Sequence, residues 1–281
     1  MNNKLGNFLS TILSFCVLSA PCVSAIPEAH FTDEEIALVS KTLSTKGITL
    51  NEFIASGGSG DIYVAMQNEG KIAIKISRTN TDTQIHDQLF NASIAYAGSE
   101  GADKWLEEYC VLPMKVDTEL DSLHICSMSL AQCDLSKREG KSNIKYDFLD
   151  IADIIKSVVM GLEALRVRGF FHNDISLGNI LKMPKAAPGS SYRLSDFGAM
   201  RQLQSDEEGK SKISIDIKKL VNIFKSGQGF SRGNPINATE DQRYAKNKFG
   251  EFCDYIENMP QVSASDVLNH EYIVSFSNHK K

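Results

Sequence analysis

The sequence predicts an α+β chain, built on a sheet in its first half and on helices in its second. Two observations carry this expectation. Between Thr49 and Met128, short β-branched runs alternate with glycine-bearing or acidic turns. From Phe148 onward, apolar residues recur at steps of three and four. An α+β chain of this order is expected to hold its site between two lobes. The composition agrees: 281 residues, 42% hydrophobic and 23% charged, suit one two-lobed domain or two small ones. A net charge of -5 argues against a general nucleic-acid binder.

Residues 1–25 stand apart from the fold. Lys4 gives a short positive region, Leu5 to Leu18 is mostly apolar, and Val23-Ser24-Ala25 is a small-residue cleavage site. Together they read as a signal peptide cut after Ala25, which implies a secreted or periplasmic chain without a membrane anchor, with an uncleaved membrane anchor as the alternative. Residues 26–48 form a leader. Its Phe31–Leu43 reads as a helix, with Thr32 and Glu35 as a capping box and Ile36, Val39 and Leu43 on one face. The first lobe is expected over 49–131. Thr49–Ser56 and Asp61–Met66 read as strands around a glycine turn, followed by a strand at Lys71–Ser77 and a helix at Thr83–Ala97. Strands at Cys110–Val116 and Leu123–Met128, joined by an acidic turn at Asp117–Asp121, complete it.

The second lobe is expected over 132–275, ahead of a short tail at 276–281. Phe148–Val167 is a long amphipathic helix carrying Ile151, Ile155, Val158, Leu162 and Leu165. Ile215–Phe224, Asn247–Ile256 and Ser263–Asn269 read as three more. Cys110, Cys126, Cys133 and Cys253 remain after signal removal and contain no C-x-x-C pair, so no zinc spacing is present. They read as small buried apolar residues, with a Cys110–Cys126 bridge as the alternative if the two lie on neighbouring strands. No extended apolar heptad points to an oligomer, so a monomer is expected.

Four segments carry chemistry. Ile54-Ala55-Ser56-Gly57-Gly58-Ser59-Gly60-Asp61-Ile62 places glycines between two strands, where the backbone can approach phosphates and offer N–H groups. Lys75 ends the strand run Ile72-Ala73-Ile74. His172-Asn173-Asp174-Ile175-Ser176-Leu177-Gly178-Asn179 is followed by Asp196-Phe197-Gly198. The last two segments supply one acid to position an attacking hydroxyl, and an amide and a second acid as hard oxygen donors for Mg²⁺.

These motifs, in this order, resemble the protein kinase-like superfamily from about Thr49 to Ile273. The resemblance implies a two-lobed kinase-like fold, a five-stranded antiparallel sheet over a shortened helical lobe. It also implies ATP and Mg²⁺ as cosubstrate and cofactor, and transfer of the γ-phosphate to a Ser or Thr hydroxyl of a protein. Ile54, Ala55, Ser56, Gly57, Gly58, Ser59, Gly60, Ile62, Ala73, Met128, Leu130 and Leu181 would line the nucleotide, with Met128 as gatekeeper. Lys75 would hold the α- and β-phosphates, Asp174 would orient the hydroxyl, and Asn179 and Asp196 would ligate the metal. His172, Phe197, Gly198 and Asp216 would be structural, and Asp87 would pair with Lys75, with Gln88 and Glu100 as alternatives.

The sequence also departs from the family pattern. Ala55 stands for the first loop glycine, Asn173 for the arginine that reads an activating phosphate, and Ser176 for a phosphate-holding lysine. Only 20 residues separate Asp196 from Asp216 and no A-P-E lies among them, so the peptide-docking platform is shortened. Such a chain resembles the minimal kinases that bacterial pathogens export to act on host proteins. His172 to Leu181 also resembles the aminoglycoside and choline kinase loop, which implies a small-molecule acceptor instead. The losses at Ala55 and Ser176 and at the helix glutamate motivate a third reading, a nucleotide-binding pseudokinase.

Overall fold

The computed structural model describes residues 30–57, 60–97, 102–116, 120, 122–136, 146–185, 187, 189–226 and 239–277. The expected signal peptide, Gly58, Ser59, Glu100, most of the acidic turn at 117–121 and the end of the tail lie outside them. Among the described residues no helix is long and apolar enough to cross a membrane.

The leader forms α1 (Asp33–Ser44) with the expected capping box: Thr32 Oγ1 accepts the Glu35 N–H, and the Glu35 carboxylate accepts the Thr32 N–H. Each satisfies an amide that the first helical turn leaves without a partner. Val39 and Leu43, with Phe31, pack on one face of a sheet against Tyr63, Ala65, Ile74, Ile76 and Ile125.

That sheet is antiparallel and five-stranded. It contains β1 (Ile48–Gly57), β2 (Gly60–Gln67), β3 (Gly70–Ser77), β4 (Met114–Lys115) and β5 (His124–Ser129), in the order β1-β2-β3-β5-β4. Ile62 lies opposite Lys75, and Lys75 opposite Cys126; Val64 lies opposite Ala73, and Ala73 opposite Met128. Directly opposed residues share a face and neighbours along a strand alternate. The face away from α1 therefore carries Ile62, Val64, Ala73, Lys75, Cys126 and Met128.

α2 (Thr81–Ala97) follows β3 after a three-residue connection. Next comes α3 (Ala102–Tyr109), a helix not expected from the sequence, with Leu106 fully buried. It ends just before the strand expected at Cys110–Val116. Only Met114–Lys115 pairs as a strand there, because the Val111 N–H is taken by Leu194 O and Pro113 has no N–H to give.

The helical half is organised around α4 (Phe148–Arg166), capped by Asp147. Its apolar positions, Ile151, Ile155, Val158, Leu162 and Leu165, are all buried in one core. The core also takes in Ile85 and Leu89 of α2, so α2 bridges the sheet and the helices. Two short sheets lie over α4: β6 (Cys133–Asp134), β8 (Ile180–Lys182) and β9 (Tyr192–Leu194) form one, and β7 (Phe170–Phe171) with β10 (Arg201–Gln202) form the other. α5 (Asp206–Lys225) begins nine residues before the helix expected there. Ser205 caps it by accepting the Glu208 N–H, and three acidic residues fill its first turn. α6 (Glu240–Asn258), α7 (Ala264–Leu268) and α8 (Glu271–Phe276) close the chain. Tyr272 of α8 is fully buried and its hydroxyl donates to Phe148 O.

Among the described residues Cys110, Cys126, Cys133 and Cys253 form no disulfide. The Cys110–Cys126 alternative fails because the two are not strand neighbours: Cys110 bridges to Leu194 and Cys126 lies opposite Lys75 and Lys115. Burial pushes the Cys110, Cys126 and Cys253 thiols up to about 12, so they are inert protonated core groups.

Candidate active site

Lys75 is buried on β3 with its ammonium 2.9 Å from Asp82 Oδ2 and 3.2 Å from Oδ1. This corrects the sequence expectation. Asp87 is largely exposed and contacts His86 instead, and Gln88 is exposed. The reason is helix phase. Asp82 shares the buried face of α2 with Ile85 and Leu89, and Asp87 lies five residues on, about 140° around the axis. Asp82 stands in the first turn, close to the end of β3, so its short side chain reaches the lysine. The sequence signal was there, since an acid in the first turn after Lys75 can be read, but it looks like an ordinary helix-dipole residue.

The segment 172–179 is held by its own hydrogen bonds. His172 is fully buried; its Nδ1 accepts the Asp174 N–H at 3.2 Å, which leaves Nε2–H to donate to Ser195 O at 3.0 Å. Burial lowers its pKa, which keeps this neutral tautomer. The ring meets Phe197 edge-on, centroids 5.3 Å apart. His172 is thus a strut between the Asp174 loop and the 196–198 turn. Asn179, also buried, donates Nδ2 to Asp174 O at 2.8 Å and to Asp174 Oδ2 at 2.9 Å. The Asp174 carboxylate is therefore held by Asn179, and Asp174 remains exposed.

Two non-glycine residues here have left-handed backbone: Asn173 at φ 67 and Asp196 at φ 58. Asn and Asp tolerate this region better than other side chains, and strain of this kind concentrates at functional sites. The Asn173 N–H donates to Asp216 Oδ2 at 3.3 Å, which anchors the turn to α5. Asp216 is itself buried, and burial pushes its carboxyl up to about 6. Asp196 is exposed, with Oδ1 accepting the Gly198 N–H at 3.3 Å.

The glycine turn between β1 and β2 is fixed at its base. Gly60 has φ 142, and a Cβ there would stand 2.2 Å from Ile76 O. Ser56 Oγ donates to Asp61 Oδ1 at 2.6 Å, and the His30 N–H donates to Asp61 Oδ2 at 2.9 Å. Asp61 is fully buried. Neither His30 nor Asp61 was singled out from the sequence, since their contact spans 31 residues. Of the other expected nucleotide contacts, Ile62, Ala73 and Met128 share the Lys75 face of the sheet, and Ala55 lies opposite Ile62. Ile54 is partly exposed at an irregularity in β1. Leu130 follows β5, and Leu181 lies on β8 opposite Asp134.

Among the described residues no cluster of three or more His, Cys, Asp or Glu comes together, so these side chains do not make an all-protein metal cage. Mg²⁺ does not need one. It is commonly held by one or two side-chain oxygens together with substrate phosphates and water. Asp196 offers a carboxylate, and Asn179, whose Nδ2 is committed to Asp174, keeps its Oδ1 for an ion. The donor set fits.

No protein-family model matches the chain. It is similar to several curated proteins. It is 24% identical over 197 residues to the serine/threonine-protein kinase pakC of Dictyostelium discoideum, covering 68% of this chain and 38% of that one. It is 27% identical over 174 residues to the interferon-induced, double-stranded RNA-activated protein kinase of Mus musculus, covering 57% and 32%. A 55-residue stretch is 44% identical to the inhibitor of nuclear factor kappa-B kinase subunit epsilon of Mus musculus, covering 20% of this chain and 8% of that one. The chain thus spans well under half the length of these relatives. Among solved structures it resembles vaccinia related kinase 3, with a TM-score of 0.57 at 12% identity, over 81% of this chain and 87% of that one.

Proposed function

The chain has the protein kinase-like fold, and on that premise we propose that it is an ATP-dependent protein kinase acting on Ser or Thr hydroxyls. The observation that carries this reading is the bond from Asn179 Nδ2 to Asp174 Oδ2, which ties the group that would orient the acceptor to a residue that would hold the metal. In the proposed reaction the acceptor oxygen bonds to the γ-phosphorus of ATP. The bond from that phosphorus to the β–γ bridging oxygen breaks, ADP leaves, and Asp174 takes the hydroxyl proton. Lys75, oriented by Asp82, would hold the α- and β-phosphates. Mg²⁺ held by Asn179 and Asp196 would neutralise charge on the phosphates.

Supporting the reading, the chain keeps all four residues: Lys75 is buried on the sheet and paired with Asp82, Asn179 is bonded to Asp174, and Asp196 follows Ser195, whose N–H and hydroxyl both donate to Asn179 O. A second reading, a small-molecule acceptor, is favoured by one observation: α5 starts ten residues after Asp196, which leaves little chain to build a peptide platform. Export is part of the proposal and rests on residues 4–25 of the sequence. The test is transfer of labelled γ-phosphate with Mg²⁺ to the chain itself or to generic protein substrates, beside Asp174→Ala. Label that the variant lacks supports a protein kinase. Absence of label on any protein, with ATP still raising the melting temperature, overturns that reading in favour of a small acceptor or a pseudokinase.

A further inference from the structure

The short interval after Asp196 leaves the outer side of the catalytic loop facing α5 directly. Three cations surround that opening. Arg201 lies opposite Phe171 across the β7–β10 pair and is exposed. Lys212 Nζ stands 5.2 Å over the Phe171 ring, one residue before His172. Lys219 is exposed one turn beyond Asp216, whose carboxylate holds the Asn173 N–H. Lys212, Asp216 and Lys219 recur at steps of four and three, so they share the helix face turned to the catalytic loop.

The charge pattern around them is uneven. Along the same helix Lys210 is paired with Asp206 and Glu207, Lys218 donates to Met259 O, and Lys225 is paired with Asp254 and Glu257. The acids at the start of α5 are also engaged: Asp206 with Arg166, and Glu208 with the Gln204 N–H. Among the described residues Arg201, Lys212 and Lys219 form no ion pair, although Arg201 Nη1 donates to Met200 O at 2.8 Å. A chain of net charge -5 thus presents positive charge beside its catalytic carboxylate, with no acid in contact with it and only the buried Asp216 acting on Lys212 and Lys219 from farther off. Complementary charge steers encounter and selects partners.

We propose that this face recognises an acidic protein segment, with Asp or Glu flanking the hydroxyl that receives the phosphate. The proposal deepens the kinase reading and rests on it for the transfer step only. Lys212 and Lys219 are seven residues apart, about 10 Å along the helix, which matches roughly three residues of extended peptide. Ile215, largely exposed between them, offers an apolar contact in the middle of that span. A single small anion would engage one of these cations at a time; an acidic segment engages them together.

The test reads binding without ATP. Fluorescence anisotropy would compare three labelled Ser peptides of equal length, flanked by acidic, neutral or basic residues, on the full chain and on Lys212→Glu/Lys219→Glu. The expected result is at least tenfold tighter binding of the acidic peptide than of the neutral one, with the order reversed in the double variant. Arg201→Glu is a second variant, expected to weaken the acidic peptide severalfold, should the first not fold. Equal binding of all three peptides, or an unchanged order in folded variants, overturns the proposal. So does displacement of the acidic peptide by heparin or poly-U at equal charge concentration, which would mark a general polyanion surface. Selective acidic-peptide binding without phosphate transfer leaves this inference standing and removes the kinase reading. Transfer that ignores flanking charge removes this inference alone.

Discussion

Lys75 and Asp82 form a buried ion pair, Nζ to Oδ2 2.9 Å, between the third strand and the first turn of the following helix. Its consequence is that the position of α2 and the position of the lysine are one variable. A shift of α2 that withdrew Asp82 would leave a buried ammonium without a counter-charge, which is costly.

The first prediction follows from this pair. Asp82→Ala is expected to cost about 3 kcal/mol of stability, because it leaves Lys75 buried and unpaired, and to reduce phosphate transfer at least about tenfold. Asp87→Ala, at an exposed position, is expected to stay within about 0.5 kcal/mol of the parent. Thermal melts and transfer rates on the two variants check both. Equal effects would return Asp87 to the role that the sequence suggested.

What was legible in the sequence was chemistry written at fixed local spacing. The glycine turn, Lys75 on its strand, 172–179 and 196–198 needed no knowledge of packing. Asp82 was hidden because choosing among the acids near α2 requires the helix phase, and that phase is set by Ile85 and Leu89 entering the core of the other lobe. α3 was hidden because its residues are largely polar and its burial rests on Leu106 meeting that same core. The start of α5 was hidden because its first turns are polar and held by capping, not by an apolar stripe. Asp61 and His30 were missed because nothing local joins a leader residue to a loop 31 positions away.

The metal assignment predicts a separation of stability from activity. Asp196 is exposed and, among the described residues, bonds within its own turn through the Gly198 N–H, so Asp196→Ala is expected to fold like the parent and to lose phosphate transfer. Circular dichroism and the melting temperature check the first half, and labelled ATP checks the second. Parental activity in the variant would remove Asp196 from the metal site.

The glycine turn gives a steric prediction. Any side chain at position 60 must escape a 2.2 Å approach to Ile76 O while holding φ 142, a conformation that L side chains rarely adopt. Gly60→Ala is expected to destabilise by about 2 kcal/mol, whereas Gly57→Ala, with open space around its Cβ, is expected to change stability far less. Urea midpoints on the two variants compare them directly. A Gly60→Ala protein as stable as Gly57→Ala would show that β3 can retreat from the turn.

Asp216 supplies a pH signature. Burial raises its carboxyl from 3.8 to about 6, so the folded chain binds this proton more tightly than the unfolded chain does. Its contribution to stability is therefore fully present below about pH 3.8 and is lost as pH rises through 6. A displacement of that size corresponds to at most ~3 kcal/mol. Asp216→Asn keeps an oxygen to accept the Asn173 N–H and removes the charge. Relative to the parent it is expected to gain stability progressively between pH 4 and pH 6.5 and to show no further relative gain above that. Denaturant unfolding of both proteins across this range reads the difference directly, while effects common to both, such as charging of the buried His172, cancel. A difference independent of pH would mean that the Asp216 carboxylate is already compensated in the folded chain, with Lys219 and Lys212, which lower its pKa, the first groups to suspect.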